Sequence, residues 1–134
     1  KTAMEAMLAS TDQIDGIIND GGNMGIGIVD AYLDAGLEIP VMCGDDGNGW
    51  LRKARDENVE FISVHGGAEV YGDAVDTCVK VMRGEPVAKN VLVDIISFTN
   101  EDLDKYYRAD LDDQYWAINK LPEEFIQEKY AVEG

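Results

Sequence analysis

Residues 39–58 read IPVMCGDDGNGWLRKARDEN, which is an apolar run, a loop of acidic residues and glycines, and a helix-forming stretch. The apolar run 39–43 is typical of a strand that is buried on both faces. Pro40 stands at its start, where a missing backbone donor is tolerated. Because a polar loop separates this run from the helical pattern of residues 50–58, the stretch predicts one strand, one loop and one helix in succession.

The same unit occurs on both sides of this stretch. Residues 14–19 form another apolar run, and apolar side chains at helical spacing follow over residues 24–35. Gly36 stands where a helix takes its left-handed C-terminal residue. Downstream, the apolar run 60–64 precedes a helical pattern over residues 67–82. Strand and helix alternate three times, so the sequence predicts an α/β fold, a parallel sheet with flanking helices in three layers (α/β/α).

The last part of the chain departs from this alternation. Residues 91–96 predict a fourth strand, and from residue 99 onward the chain becomes acidic and aromatic. Pro122, followed by two glutamates, predicts the start of a final short helix. We therefore expect residues 1–98 to form one α/β domain and residues 99–134 to form a C-terminal tail.

The composition excludes several classes of protein and partner. With 134 residues, 46% of them apolar, the chain is large enough to bury a core without metal ions or crosslinks. The formal net charge of −16 repels phosphate backbones and anionic lipids, so we expect no nucleic-acid partner. The longest apolar runs are far shorter than the roughly 20 residues that span a bilayer, so we expect no membrane insertion.

The sequence contains no motif for a cofactor or a metal ion. Cys43 and Cys78 are far apart and lack the spacing of a zinc site, so we expect two buried thiols. The glycines of residues 22–27 lack the order of a dinucleotide-binding loop. Residues 45–49 lack the alternating ligands of a calcium loop. We therefore expect neither a cofactor nor a metal site.

Polar residues follow each of the three predicted parallel strands. Because such strands end at the same edge of a sheet, these residues should meet in one crevice, where open α/β folds bind ligands. They are Asn19, Asp20 and the glycines from Gly21 after the first strand, Asp45, Asp46 and Asn48 after the second, and His65 after the third. Carboxylates, imidazole and close backbone N–H groups suit the hydroxyl groups of a sugar or polyol, whereas anions fit an acidic edge poorly.

Several candidates also have a structural alternative. Asp20 and Asp46 suit N-caps of the helices that follow them. Trp50 suits either stacking on a sugar ring or filling the core, and His65 either ligand contact or a satisfied core position. Trp116 lies in the tail, where aromatic side chains more often attach a terminal segment to the body than bind a ligand.

Segments throughout the chain are similar to those of one known family. They are IDGI at 14–17, MGIG at 24–27, IPV at 39–41, GDDG at 44–47 and VMRGEPV at 81–87. Through them the chain resembles the C-terminal half of the type I periplasmic binding proteins, the sugar-binding solute receptors of ABC transporters that include ribose-binding protein. In the tail, YY at 106–107 and DQYW at 113–116 are similar to terminal segments of the larger-sugar branch of that family.

The resemblance implies roles for individual residues. Asp46 matches the family's sugar-binding aspartate, and His65 falls at a polar hinge residue that touches the ligand. By strict spacing, the family's sugar-binding asparagine aligns with Gly21. The resemblance leaves open whether Asp20 takes over that role or the backbone alone serves.

The resemblance also implies an organisation in two lobes that are joined by crossover strands, with a crossover near residue 65. The helix 67–83 would then pack on a first lobe that is largely absent from this chain. Its apolar face consists of Val70, Ala74, Cys78 and Val81. We expect the missing N-terminal lobe, a second chain or a swapped copy to cover that face.

The leading hypothesis is an extracytoplasmic solute-binding component of an ABC importer, located in the periplasm or anchored at the cell surface. It binds a sugar or polyol in a cleft between two lobes and delivers it to the membrane permease, without acting as an enzyme. A sensory or regulatory receptor for a sugar or autoinducer, built on the same fold, is one alternative. An α/β enzyme that uses Asp20, Asp46 and His65 as acids and bases is another.

Overall fold

The computed structural model describes residues 1–65 and 69–132 and shows a four-stranded sheet with helices packed on it. The strands lie in the order β1 (Gly16–Ile17), β2 (Val41–Gly44), β3 (Phe61–Val64) and β4 (Ser97–Thr99). The first three are parallel, and Met42 of β2 lies beside Ile17 of β1 and Phe61 of β3. The predicted α/β class is confirmed.

The helices of the described residues follow the predicted alternation. They are α1 (Thr2–Leu8), α2 (Gly22–Ala35), α3 (Asn48–Asp56), α4 (Glu69–Met82), α5 (Leu103–Tyr106) and α6 (Glu123–Tyr130), with a 3₁₀ turn at Asn100–Asp102. Gly36 ends α2 in the left-handed conformation at a φ of 65°, and Pro122 directly precedes α6, as predicted. The predicted helix start at residue 67 lies outside the described residues.

The fourth strand differs from the prediction in both position and direction. Residues 91–96 are exposed and form no strand, whereas Ser97–Thr99 pairs antiparallel with β3. The His65 N–H donates to the carbonyl oxygen of Ile96 at 2.8 Å, so the chain returns to the sheet at the edge where β3 ends. A chain that re-enters at that edge runs antiparallel. The apolar composition of a short run such as residues 91–96 does not by itself distinguish a buried strand from an exposed apolar segment.

The main core lies between one face of the sheet and the helices α2 and α3. Trp50 of α3 is 1% exposed and packs edge-to-face on Phe61, with ring centroids 5.9 Å apart. Its Nε1 donates to Ser63 Oγ at 3.1 Å, so the indole N–H is satisfied inside the core. Residue 44 must be glycine, because a Cβ there would overlap the Trp50 indole.

The opposite face of the sheet is open in the described part of the chain. Val41, Ile62 and Val64 lie on this face and are 44%, 43% and 41% exposed. Of the three expected layers, the described residues show the sheet and the helices on one face, with α1 packed against α2.

The apolar face predicted for the helix after β3 is exposed along α4. It consists of Val70, Ala74, Cys78 and Val81. A groove of about 310 Å³ runs between α4 and residues 91–93, and its lining is largely apolar. The expectation of two buried thiols is wrong for Cys78, which is exposed, while Cys43 is half-buried.

The tail packs on the start of α3 through Asn48, which is fully buried. Asn48 Nδ2 donates to the carbonyl oxygens of Arg108, Leu111 and Asp112 at 2.7, 2.9 and 3.0 Å. Its Oδ1 accepts the Arg108 N–H at 3.0 Å. One amide therefore fixes the path of five consecutive tail residues, 108–112.

A second apolar cluster and an ion-pair network complete the attachment of the tail. The buried members of the cluster are Leu111, Tyr115 and Ile126. Arg108 Nη2 lies 2.7 Å from carboxylate oxygens of both Asp110 and Glu123. The Arg108 guanidinium holds the pKa of the Asp110 carboxyl well below its usual range, with a smaller contribution from Gln127.

We predict that Asn48→Ala lowers the free energy of unfolding by about 2–4 kcal/mol, because it leaves buried carbonyl groups without donors. Urea denaturation followed by circular dichroism measures this change. Asn90→Ala, at an exposed position outside the helices and strands, is the matched control and should change stability by less than about 0.5 kcal/mol. Equal stability of the two variants would contradict the role assigned to Asn48.

Candidate functional site

The parallel strands bring their carboxyl ends to one edge of the sheet, as the sequence predicts. Asp20 and Gly21 follow β1, Asp46 follows β2, and His65 follows β3. This edge is the usual position of ligand sites in open α/β folds. The Gly66–Gly67 turn, expected next to His65, lies outside the described residues.

Asp46 and His65 form a buried pair at this edge. They are 0% and 7% exposed, and His65 Nδ1 lies 3.0 Å from Asp46 Oδ1. His65 lines a cavity of about 450 Å³, whose other walls are side chains of α4, residues 92–95 and Lys120. The carboxylate lies beside the imidazole, which is at the wall of a cavity that is large enough for a small solute.

The tail borders this pair directly. Asp46 Oδ2 accepts the Ile118 N–H at 2.9 Å, and the Asp46 carbonyl oxygen accepts the Ala117 N–H at 2.9 Å. Trp116 forms an isolated antiparallel bridge with Gly47. The aromatic segment 113–116 indicates that the tail packs on the body, but nothing in the sequence indicates that it packs beside Asp46.

The loop after β1 is held by Asn19. Its Nδ2 donates to the carbonyl oxygen of Cys43 at 2.6 Å, and its Oδ1 accepts the Gly21 N–H at 2.9 Å. Asp20 is exposed on this loop. Asn19 therefore ties the loop after β1 to the end of β2, which fixes the Gly21 backbone at the edge of the sheet.

The carboxylate that serves the helix N-termini is Asp45. Its Oδ2 accepts the Gly22 N–H at 2.6 Å and its Oδ1 accepts the Gly47 N–H at 2.9 Å. A carboxylate at helix N-termini is favourable because of the partial positive charge there. The capping alternative is wrong for Asp20 and Asp46, since neither α2 nor α3 has a side-chain cap from its N-cap residue.

Asn48 and Trp50, also expected at the site, lie in the interior at 0% and 1% exposure. Their polar atoms bond to the tail and to Ser63. Trp50 fills the core, which is the structural alternative predicted for it. Asn48 anchors the tail, and the Trp50 indole packs against Gly44 at the end of β2.

Neither a metal cluster nor a membrane span is present in residues 1–65 and 69–132. No three or more of their His, Cys, Asp and Glu side chains are arranged to hold a metal ion. None of the helices in those ranges has the length and apolar character needed to cross a bilayer.

Solved structures of sugar-binding proteins have the same fold as this chain. A solute-binding protein of an ABC transporter from Agrobacterium vitis, with bound D-fucose, matches at 28% identity and a TM-score of 0.63. A Mycobacterium smegmatis protein in complex with β-D-fucofuranose matches at 25% identity and a TM-score of 0.66. A periplasmic solute-binding protein from Actinobacillus succinogenes, with bound D-allose, matches at 20% identity and a TM-score of 0.65.

These matches define the fold of the chain as part of one lobe of a type I periplasmic binding protein. Each covers 78% of this chain but only 35%, 37% or 38% of the solved chain, so this chain spans little more than a third of their length. No protein-family profile and no curated protein sequence matches the chain. The resemblance drawn from the sequence segments is confirmed at the level of the fold.

We predict that Asp46→Ala lowers the free energy of unfolding by about 1–3 kcal/mol, because the buried Ile118 N–H loses its acceptor. The same variant should be cut faster by protease within residues 113–121, because that part of the tail is released. Asp46→Asn is the control, since its amide oxygen still accepts the Ile118 N–H, and we expect a smaller loss. Urea denaturation and timed proteolysis measure both effects. Unchanged proteolysis in Asp46→Ala would show that this contact does not hold the tail.

Proposed function

We propose that this chain is the sugar-binding lobe of an extracytoplasmic solute-binding protein that serves an ABC importer. The observation that carries the proposal is the match of its lobe to solved chains with bound D-fucose and β-D-fucofuranose. Matched structures from Conexibacter woesei and Agrobacterium vitis are described as parts of ABC transporters. This description supports a permease as the partner of the whole protein. The periplasmic description of several of them supports the extracytoplasmic location.

The chemistry of the edge supports a neutral, hydroxyl-rich ligand. His65 lines the cavity of about 450 Å³ with Asp46 buried behind it, and Asp20 and the Gly21 backbone flank the same edge. Carboxylate and imidazole groups accept and donate hydrogen bonds to sugar hydroxyls. The net charge of −16 opposes binding of sugar phosphates and other anions.

Binding alone accounts for this function, and no covalent step is required. Two lobes that close on a solute exclude water from it, and the closed form signals occupancy to the permease. Asn19, Asn48 and Trp50 contribute by fixing the loops that present Gly21 and Asp46.

The exposed apolar face of α4 supports a further part of the proposal. In the whole protein, we propose that the remainder of the same polypeptide, the other lobe, packs on α4 and on residues 91–96. The apolar side chains along these segments include Val81, Leu92 and Ile95 at 55%, 93% and 68% exposure. The solved chains that match are about twice as long as this chain, which supports an occupant from the same polypeptide.

We predict that the 134-residue chain binds neutral monosaccharides weakly and sugar phosphates not at all. The binding is weak because one lobe supplies only part of the contacts. Asp46→Asn and His65→Ala should each weaken it about tenfold or more through loss of a charged or oriented hydrogen bond. Chemical-shift titration with D-fucose, D-allose and D-ribose, and with ribose 5-phosphate, measures the affinities.

The control for this titration is Asp56→Asn, an identical substitution at an exposed position of α3. It should bind as the wild type does. Absence of neutral-sugar binding, or wild-type affinity in both site variants, would contradict the proposal. Mass spectrometry of the sugar after prolonged incubation separates binding from enzymatic turnover, for which we expect no product.

We predict that the isolated chain binds a hydrophobic dye through the α4 face and that Val81→Asp reduces the fluorescence of the bound dye. The reason is the loss of apolar surface from an exposed patch. Val132→Asp, at 45% exposure compared with 55% for Val81, is the matched control and should leave the signal unchanged. A chain that sediments as a monomer without dye binding would contradict an open face, and a dimer would favour a second copy as its cover.

A further inference from the structure

A second cleft, of about 440 Å³, lies beside the loop that follows β2. Its lining includes Asn23, Asp45, Gly47, Asp113, Gln114 and Trp116. Asn23 is in the first turn of α2, and Gly47 directly precedes α3, so the cleft is at the same edge of the sheet as Asp46. Its volume is within the range of sites that hold small molecules.

Trp116 is the principal apolar surface of this cleft. Its side chain is 44% exposed although its backbone is fixed by the bridge to Gly47. Its carbonyl oxygen also accepts the Asn119 Nδ2–H at 2.7 Å. The adjacent Tyr115 is 5% exposed and belongs to the apolar cluster that attaches the tail. Tyr115 therefore attaches the tail to the body. Attachment of the tail does not explain why the Trp116 indole is held at the surface.

The polar groups of the cleft include one rigid acceptor and two adaptable amides. Asp45 accepts the N–H groups of Gly22 and Gly47, which fixes its carboxylate. A carboxylate offers about four acceptor positions, so further positions are available to a ligand. Asn23 and Gln114 are exposed at the cleft and offer both donors and acceptors.

This combination suits a neutral sugar ring. The ring has an apolar face of C–H groups that packs on an indole, and hydroxyl groups around its edge that bond to carboxylates and amides. The carboxylates of Asp45 and Asp113 and the net charge of −16 oppose an anionic ligand.

Tail residues 117 and 118 and the buried Asp46 lie between the cleft and His65. Trp116 pairs with Gly47, and the next two residues of the tail bond to Asp46, which faces His65. Extended residues advance about 3.3 Å each, so the separation of the cleft from His65 is on the order of 10 Å. Residues 117 and 118 are half-buried, so a two-ring ligand that crosses their outer side would reach from Trp116 to His65.

We propose that the Trp116 cleft binds the second sugar residue of a neutral disaccharide whose first residue lies at His65. This inference rests on the proposed function, because it places the first residue at the site assigned there. The ligand then has two sugar rings, and Trp116 makes the protein bind a disaccharide more tightly than a monosaccharide.

The experiment is a chemical-shift titration of the 134-residue chain with maltose, cellobiose and lactose, and with glucose and galactose as their single-ring counterparts. We expect at least one disaccharide to bind roughly three- to tenfold more tightly than its monosaccharides. Trp116→Ala should reduce that ratio to about one, and Trp116→Phe should retain most of it. Phe125→Ala, at 47% exposure and on α6, is the matched control for removal of an exposed aromatic side chain.

The outcomes separate this inference from the proposed function. Two results overturn the inference and leave the function standing, provided that monosaccharide binding depends on Asp46. One is the absence of a disaccharide preference, and the other is a preference that survives Trp116→Ala. A preference that disappears in Trp116→Ala and persists in Phe125→Ala supports both. A chain that binds none of these five sugars overturns the inference, and one that also fails to bind D-fucose, D-allose and D-ribose overturns both.

Discussion

The Asp46 carboxylate joins three parts of the chain that are far apart in sequence. One oxygen faces the imidazole of His65 at the end of β3, and the other accepts the N–H of Ile118 in the tail. A carboxylate that is 0% exposed is costly unless its partners replace water, and here a backbone N–H and an imidazole surround it. This arrangement connects the tail to the end of β3 through one side chain.

The structure places its polar and apolar surfaces on different elements. The polar candidates lie where β1, β2 and β3 end, whereas the open sheet face and α4 carry exposed valine, leucine and isoleucine side chains. Exposed apolar patches of this kind mark contacts with other protein surfaces, because their burial is favourable in proportion to area. The candidate edge and the exposed apolar segments adjoin, because the cavity beside His65 is also lined by side chains of α4 and of residues 92–95.

The sequence predicted most of the fold and the edge of the site, but not the details of either. Gly36 and Pro122 marked helix ends correctly because their backbone preferences are local. The run 91–96 suggested a strand, yet it lies outside the sheet, and Ser97–Thr99 pairs instead. Asp45 and Asp46 are neighbours of the same type, and only their partners distinguish the one that serves the helix N-termini from the one that faces His65.

The sequence by itself determined the α/β class, the parallel order of the first three strands and the convergence of Asp46 and His65 at one edge. These follow from the periods of strands and helices and from the right-handed crossovers between parallel strands, which are properties of short segments. Only the tertiary structure decided the antiparallel direction of β4, the burial of Asn48 and Trp50, and the exposure of Trp116 beside the site. Those features depend on contacts between residues that are distant in sequence, such as Val64 with Ser97 and Asn48 with Arg108, and no local pattern encodes them.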